Sequence, residues 1–216
     1  MTSCRPLELL VATNNQGKIR EVQAALNSLP LKLRYLSEFA NVSAVPEAGQ
    51  TYQENAVIKA VGYARQTGVS ALADDSGLEV DALDGRPGVF SARFGGEKAS
   101  DAERIKLLLS ELSEHANMNR SARFVCCMAL AGWQSPEAPK QGHEARLLTV
   151  TEASCEGIIA PAPRGVNGFG FDPVFVPAGY QQTFAQLSGE IKATISHRAQ
   201  ALAEIRTFIN RWLTTA

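Results

Sequence analysis

Four short polar stretches carry side chains that could handle phosphate, a metal cation or a planar ring. Asp74-Asp75-Ser76-Gly77 sets two carboxylates side by side after an apolar run. Like charges held that close are unfavourable unless a cation lies between them. Mg²⁺ is the natural candidate, since it uses one or two carboxylates together with substrate phosphates. An Asp-Ser-Gly turn between two strands would account for the same residues without any chemistry. Two acids precede this pair, Glu47 and Glu54. Glu54 is the N3 residue of a Thr51-Tyr52-Gln53-Glu54 capping box and can satisfy the Thr51 N–H. Glu47, in a loop, is therefore the better second metal carboxylate.

Thr13-Asn14-Asn15-Gln16-Gly17-Lys18 is a polar turn running into a helix. A helix start presents N–H groups and a partial positive charge that suit phosphate, and Lys18 adds a full charge. It lacks the spaced glycines of a P-loop, and an ordinary turn capped by an Asn fits it equally. Gly168-Phe169-Gly170-Phe171-Asp172-Pro173 alternates Gly with Phe. Such a segment could bring its backbone near a flat ligand, stack a ring on it and offer Asp172 to ring N–H groups. It could equally be a bend packing two core phenylalanines. Lys192 with Ser196-His197-Arg198 supplies two fixed cations and an imidazole near a helix start, or else a capping segment with solvated charges. Ser91-Ala92-Arg93-Phe94 adds one more Arg near loops, which is not diagnostic.

Other chemistries have thin support. There are three histidines, His115, His143 and His197, too few for a zinc centre built on several. No Gly-x-Ser-x-Gly elbow is present. Cys4, Cys126, Cys127 and Cys155 match neither a zinc motif nor a disulfide framework. They read as buried free thiols in a reducing compartment, with the cytoplasm as the default location.

The elements that must position these residues follow from apolar spacing. Leu7–Ala12 reads as a buried strand. Ile19, Val22, Leu26 and Leu29 recur at helical spacing up to Pro30, and Leu31, Leu33 and Tyr35 alternate as a half-exposed strand. The Thr51 capping box opens a helix bearing Ala56, Ala60, Tyr63 and Ala64 that stops near Gly68. Short strands at Val69–Ala73 and Leu78–Val80 flank the Asp pair. A second capping box, Ser100 to Glu103, opens a helix with Ile105, Leu108, Leu109 and Leu112 on one face. Ala122–Trp133 and Arg146–Ile159 read as a long hairpin around a polar excursion, Gln134 to Glu144. Val174–Val176 is strand-like, Ser188–Ala193 is helical, and an amphipathic helix from Arg198 to Leu213 closes the chain. The expected fold is α/β: an elongated mixed sheet with long antiparallel strands and two lobes around a central cleft, in one domain over residues 1–216.

Bulk properties narrow the partners. With 21 Lys+Arg against 22 Asp+Glu, the net charge of −1 lacks the basic surplus that nucleic-acid binding draws on. Any phosphate must be handled locally, by a few placed groups. The longest apolar runs, such as Cys126–Ala131, fall short of a membrane span. Met1-Thr2-Ser3-Cys4-Arg5-Pro6 has no apolar stretch of the secretory kind.

Taken in order, Thr13–Lys18, Thr51–Ala56, Ala73–Leu78, Gly88–Phe94, Gly168–Pro173 and Ile195–Arg198 resemble the inosine triphosphate pyrophosphatase family. The likeness is greatest to its bacterial branch of deaminated-purine nucleoside triphosphatases, and it extends from about Leu7 to the last helix. The excursion at Gln134–Glu144 carries no motif of that family. The resemblance implies a homodimer of elongated α/β protomers that uses Mg²⁺ to convert ITP, dITP and XTP to the monophosphate and pyrophosphate. It implies Asp75 as general base or metal carboxylate. It gives the triphosphate to Thr13, Asn14, Asn15, Gln16, Gly17 and Lys18. It sets Ser76, Phe169, Gly170, Phe171, Asp172, Lys192, His197 and Arg198 around the nucleotide, His197 and Arg198 nearest the base. Two alternatives remain at this point: a hydrolase of modified pyrimidine or ordinary triphosphates, and a nucleotide-binding module without turnover.

Overall fold

The computed structural model describes residues 7–114, 119–133 and 144–214. Strand β1 (Leu7–Val11) runs through a short turn into helix α1 (Gln16–Leu26) and returns as β2 (Leu31–Tyr35). β1 and β2 pair in parallel from Leu7↔Leu31 to Val11↔Tyr35. Helix α2 (Tyr52–Thr67) then leads into β3 (Ser70–Val80), parallel to β1 from Leu9↔Ser70 to Val11↔Leu72. Three long elements follow: α3 (Asp101–Glu114), β4 (Ser121–Gly132) and β5 (Arg146–Ile159). The chain ends with the short β6 (Phe175–Pro177), α4 (Gly189–Ile195) and α5 (His197–Thr214). One six-stranded sheet has the order β2-β1-β3-β4-β5-β6. β6 runs antiparallel to β5, so the sheet is mixed, as the sequence leads one to expect.

The chain divides into two compact units. The first comprises Met1–Asp75, Cys127–Glu152 and Ala201–Ala216; the second comprises Ser76–Cys126 and Ala153–Gln200. In the first, Leu9, Leu10 and Val11 of β1 are buried with Val22 and Leu26 of α1, Ala56, Ala60 and Ala64 of α2, and Ile205 and Ile209 of α5. The small residues on α2 let that helix lie close to its neighbours. In the second, one apolar cluster joins Leu78 and Val80 of β3 to Ile105, Leu108 and Leu112 of α3, Phe124 of β4, and Phe171, Phe175 and Phe184. Both capping boxes form. Glu54 N donates to Thr51 Oγ1 and Thr51 N to Glu54 Oε2; Ser100 and Glu103 exchange the same pair of bonds.

Two elements differ from the sequence-based expectation. The Asp-Ser-Gly segment is no turn: β3 continues unbroken through Asp74–Gly77. Its neighbours in the sheet, together with a bond from Leu78 N to the buried Ser91 Oγ, outweigh the local turn preference. Helix α1 stops at Leu26 and not at Leu29, although Leu29 is still buried and its N–H bonds Leu26 O. β4 and β5 are sheet neighbours. The stretch 134–143 between them, and with it His143, lies outside the described residues, as do Cys4 and His115. No helix among the described residues is long and apolar enough to cross a membrane.

Candidate active site

In the first unit the geometry grows from the start of α2. Tyr52, Asn55, Ala56, Lys59, Ala60, Tyr63 and Ala64 form its buried face, so Asn55 and Lys59 sit where apolar residues would be expected. Asn55, with no exposed surface, accepts a hydrogen bond from Gly49 N at 2.9 Å and donates one to Asp75 Oδ2 at 3.1 Å. Gly49 is required by space, because a Cβ there would lie 2.6 Å from Glu54 Cβ. Glu54 accepts from Gln50 N at 2.7 Å as well as from Thr51 N. The loop carrying Glu47 is thus bound to the helix start, and Lys59 Nζ lies 2.9 Å from Glu47 Oε1 and 3.2 Å from Asp75 Oδ1.

Asp74 and Asp75 are both 7 % exposed, and they take different cations, as successive residues of a strand facing opposite ways should. Lys18 Nζ, from the first turn of α1, lies 3.0 Å from Asp74 Oδ1. Burial lifts the Asp75 pKa above the ordinary carboxylate range; Lys59, Lys18 and the Asn55 bond pull it down without cancelling that lift, and Glu47 adds to it. For Lys59 the opposite balance holds. Burial lowers its pKa, but Asp75, Asp74 and Glu47 outweigh burial and raise it. The site therefore holds a charged lysine against a carboxyl group with enhanced proton affinity.

The turn at Thr13–Lys18 is a capped helix start. Asn15 Oδ1 accepts from Gly17 N at 2.8 Å and Lys18 N at 3.1 Å, while Thr13 Oγ1 accepts from Asn15 N. Asn14, Asn15 and Gln16 are exposed, and Gly17 is buried. With those amides engaged, Lys18 and the helix dipole carry the attraction for an anion.

In the second unit, Ser76 follows Asp75 along β3 and accepts a hydrogen bond from the Arg198 guanidinium at 2.8 Å. His197 and Arg198, at the start of α5, are both 2 % exposed. The His197 ring stacks on Phe124 at 4.7 Å with 12° between planes. Asp172 Oδ2 accepts from Lys192 Nζ at 2.6 Å and from Phe169 N at 2.9 Å. Gly168 has φ +78°, and a Cβ on it would collide with the Asp172 carboxylate. Lys192 Nζ lies 4.9 Å from the Phe169 ring centre and Arg198 Cζ 5.6 Å, so two cations flank one half-buried ring. Phe171 points into the core instead, edge-on to Phe94.

Cys126, Cys127 and Cys155 are buried thiols. Burial, with the fields of Glu152, Asp75 and Asp74, pushes the Cys127 thiol up to about 12, and burial with Glu156 pushes Cys155 up to about 11. Both are protonated and unreactive at neutral pH.

Sequence reasoning missed Asn55 and Lys59. Their signal was present, since each is a polar residue on the apolar face of a helix already identified. Glu54 forms the cap expected of it, and Glu47 lies against Lys59, the lysine that also reaches Asp75. Among the described residues no three His, Cys, Asp or Glu side chains cluster as a metal cage. Glu47 and Asp75 on either side of one ammonium do fit a cation such as Mg²⁺ that takes its remaining ligands from phosphate and water.

Known proteins resemble this chain over nearly its whole length. The Ham1 family profile matches residues 9–208. A dITP/XTP pyrophosphatase of Bacillus anthracis is 42% identical over 205 residues, covering 95% of this chain and 97% of that protein. One of Coxiella burnetii is 43% identical over 203 residues, covering 94% and 96%. A solved HAM1 protein from Coxiella burnetii superposes with a TM-score of 0.81 at 42% identity, over 95% of this chain and 99% of that one. The Staphylococcus aureus Ham1 protein gives 0.78 at 37% identity, over 94% and 98%. The chain belongs to the Ham1 family.

Proposed function

We propose that this chain is a Mg²⁺-assisted pyrophosphatase of deaminated purine nucleoside triphosphates, converting ITP, dITP and XTP to the monophosphate and pyrophosphate. The observation that carries it is the buried Asp75 carboxyl, held by Asn55 and Lys59 with Glu47 opposite. Relatives named dITP/XTP pyrophosphatase over nearly the whole chain support the substrate class.

Asp75 takes the proton from a water whose oxygen attacks the α-phosphorus. The bond from that phosphorus to the α–β bridging oxygen breaks, and pyrophosphate departs with the electron pair. Asn55 fixes the Asp75 carboxyl in orientation. Lys18, at the mouth of the capped turn Thr13-Asn14-Asn15-Gln16-Gly17, meets the charge that develops on the phosphate oxygens. Magnesium, held by Glu47 and Asp75, would supply charge neutralisation on the triphosphate.

The second-unit cluster handles the nucleoside. The Phe169 face takes the purine ring, Gly170 allows the backbone to approach, and Asp172 holds Lys192 and the Phe169 N–H in place. His197 forms a flat wall on Phe124, and Ser76 steadies Arg198. Arg198 offers guanidinium N–H donors to the 6-oxo group of hypoxanthine or xanthine. Adenine would present an amino group there, donor against donor, and such a mismatch gives strong rejection. A cytoplasmic homodimer completes the proposal.

The test is turnover of ITP with Mg²⁺, with ATP, GTP and a modified pyrimidine triphosphate as controls. Stoichiometric IMP and pyrophosphate, with ATP and GTP turned over far more slowly, is the expected result. Release of inorganic phosphate, equal use of ATP, or binding without turnover would overturn it.

A further inference from the structure

Phe169 can serve a base only if the glycine-flanked loop around it is fixed. Inside the loop, Asp172 closes a turn onto Phe169 N. Phe171 anchors one end in the core. Gly170, with φ +61° and open space where a Cβ would stand, lies between them on the exposed side. Its N–H donates at 2.7 Å to Asp101 Oδ2, from a residue 69 positions earlier in the chain. Asp101 is the first residue of α3, a helix seated in the second-unit core by Ile105, Leu108 and Leu112. Its other oxygen, Oδ1, is 2.8 Å from Arg104 Nη1, and Arg104 is mostly buried. The carboxylate is thus oriented by its own helix and extends one oxygen to the loop. An acid at a helix start needs only the helix dipole to be favourable; the bond to Gly170 lies outside that explanation.

We infer that Asp101 is a positioning residue for base recognition: it transmits the rigidity of α3 to Gly170 and so fixes Phe169. The inference rests on the proposal that Phe169 stacks on the purine. The loss of one partly exposed, charge-assisted hydrogen bond corresponds to about a fivefold effect. Asp101→Ala is therefore expected to raise the KM for ITP about fivefold, with little change in kcat. Inhibition by inorganic tripolyphosphate, which has no base, should stay as in the wild type. Asp101→Asn keeps an acceptor oxygen and should recover most of the loss. An unchanged KM in Asp101→Ala, or an equal weakening of tripolyphosphate, would overturn the role. Phe169→Ala is the separating control. If it raises the KM for ITP and Asp101→Ala does not, Asp101 is wrong and the stacking stands. If Phe169→Ala has no effect, the stacking itself fails. Should Asp101→Ala not fold, hydrogen exchange in the wild type decides: a protected Gly170 amide supports the bond, and exchange at the rate of an unstructured peptide overturns it.

Discussion

The two polar clusters are built from opposite balances of charge. In the first unit three acids, Glu47, Asp74 and Asp75, face two lysines, Lys18 and Lys59, so an acid is in excess. In the second, Lys192 pairs with Asp172, and Lys192 and Arg198 share the surroundings of Phe169. An excess acid with raised proton affinity suits a divalent cation and a proton to be taken. Excess cations around an aromatic ring suit a flat, electron-rich ligand with carbonyl oxygens. A net charge of −1 for the whole chain hides this division. Reaction and selection are therefore assigned to different clusters, and variants should separate them.

The largest effect is expected at Asp75. Asp75→Asn should lower kcat for every substrate by about 10²–10⁴-fold, the worth of a general base. In the metal-free protein the raised Asp75 pKa means that this group favours folding most below its unfolded pKa, and that the benefit is lost as pH rises through the folded pKa. In chelator, Asp75→Asn should therefore gain stability over the wild type as pH rises from 4 to 8, read by thermal unfolding. A wild type that gains on the variant over that range would reverse the assignment.

Next comes Lys59→Met. It leaves Glu47 and Asp75 without their shared ammonium, and breaking a buried pair from one side costs about 3–5 kcal/mol. Denaturant unfolding should show a loss of that order together with a large fall in turnover. Phe169→Ala follows, with the KM for ITP raised by about tenfold, as base–aromatic stacking energies imply, and kcat little altered. The smallest effect is at Glu54, whose carboxylate serves the cap. Glu54→Gln can keep the box and should shift stability by less than about 0.5 kcal/mol, with normal kcat. A collapse of kcat there would bring Glu54 into the metal set.

The parts of this division legible in the sequence are those set by local chemistry. Apolar spacing located α1, β2 and α3, and Thr51 and Glu54 announced both the start of α2 and the fate of Glu54. Local chemistry misled at Asp74–Gly77, where Asp, Ser and Gly favour a turn but the sheet on either side holds them extended. The pairing of Lys59 with Asp75 joins a helix to a strand, and that of Arg198 with Ser76 spans 122 positions. No periodicity encodes such contacts. Asn55 and Lys59 were half-visible, as polar residues on a buried face, which becomes informative only once Asp75 is known to lie opposite.

The most direct test of the division compares kcat/KM for ITP and for ATP in Lys18→Ala and Arg198→Ala. Lys18 is proposed to handle phosphate, so its loss should lower both values by the same factor and leave their ratio at the wild-type level. Arg198 is proposed to read the base, so its loss should lower ITP more than ATP and narrow the ratio. A changed ratio in Lys18→Ala, or an unchanged one in Arg198→Ala, would contradict the account.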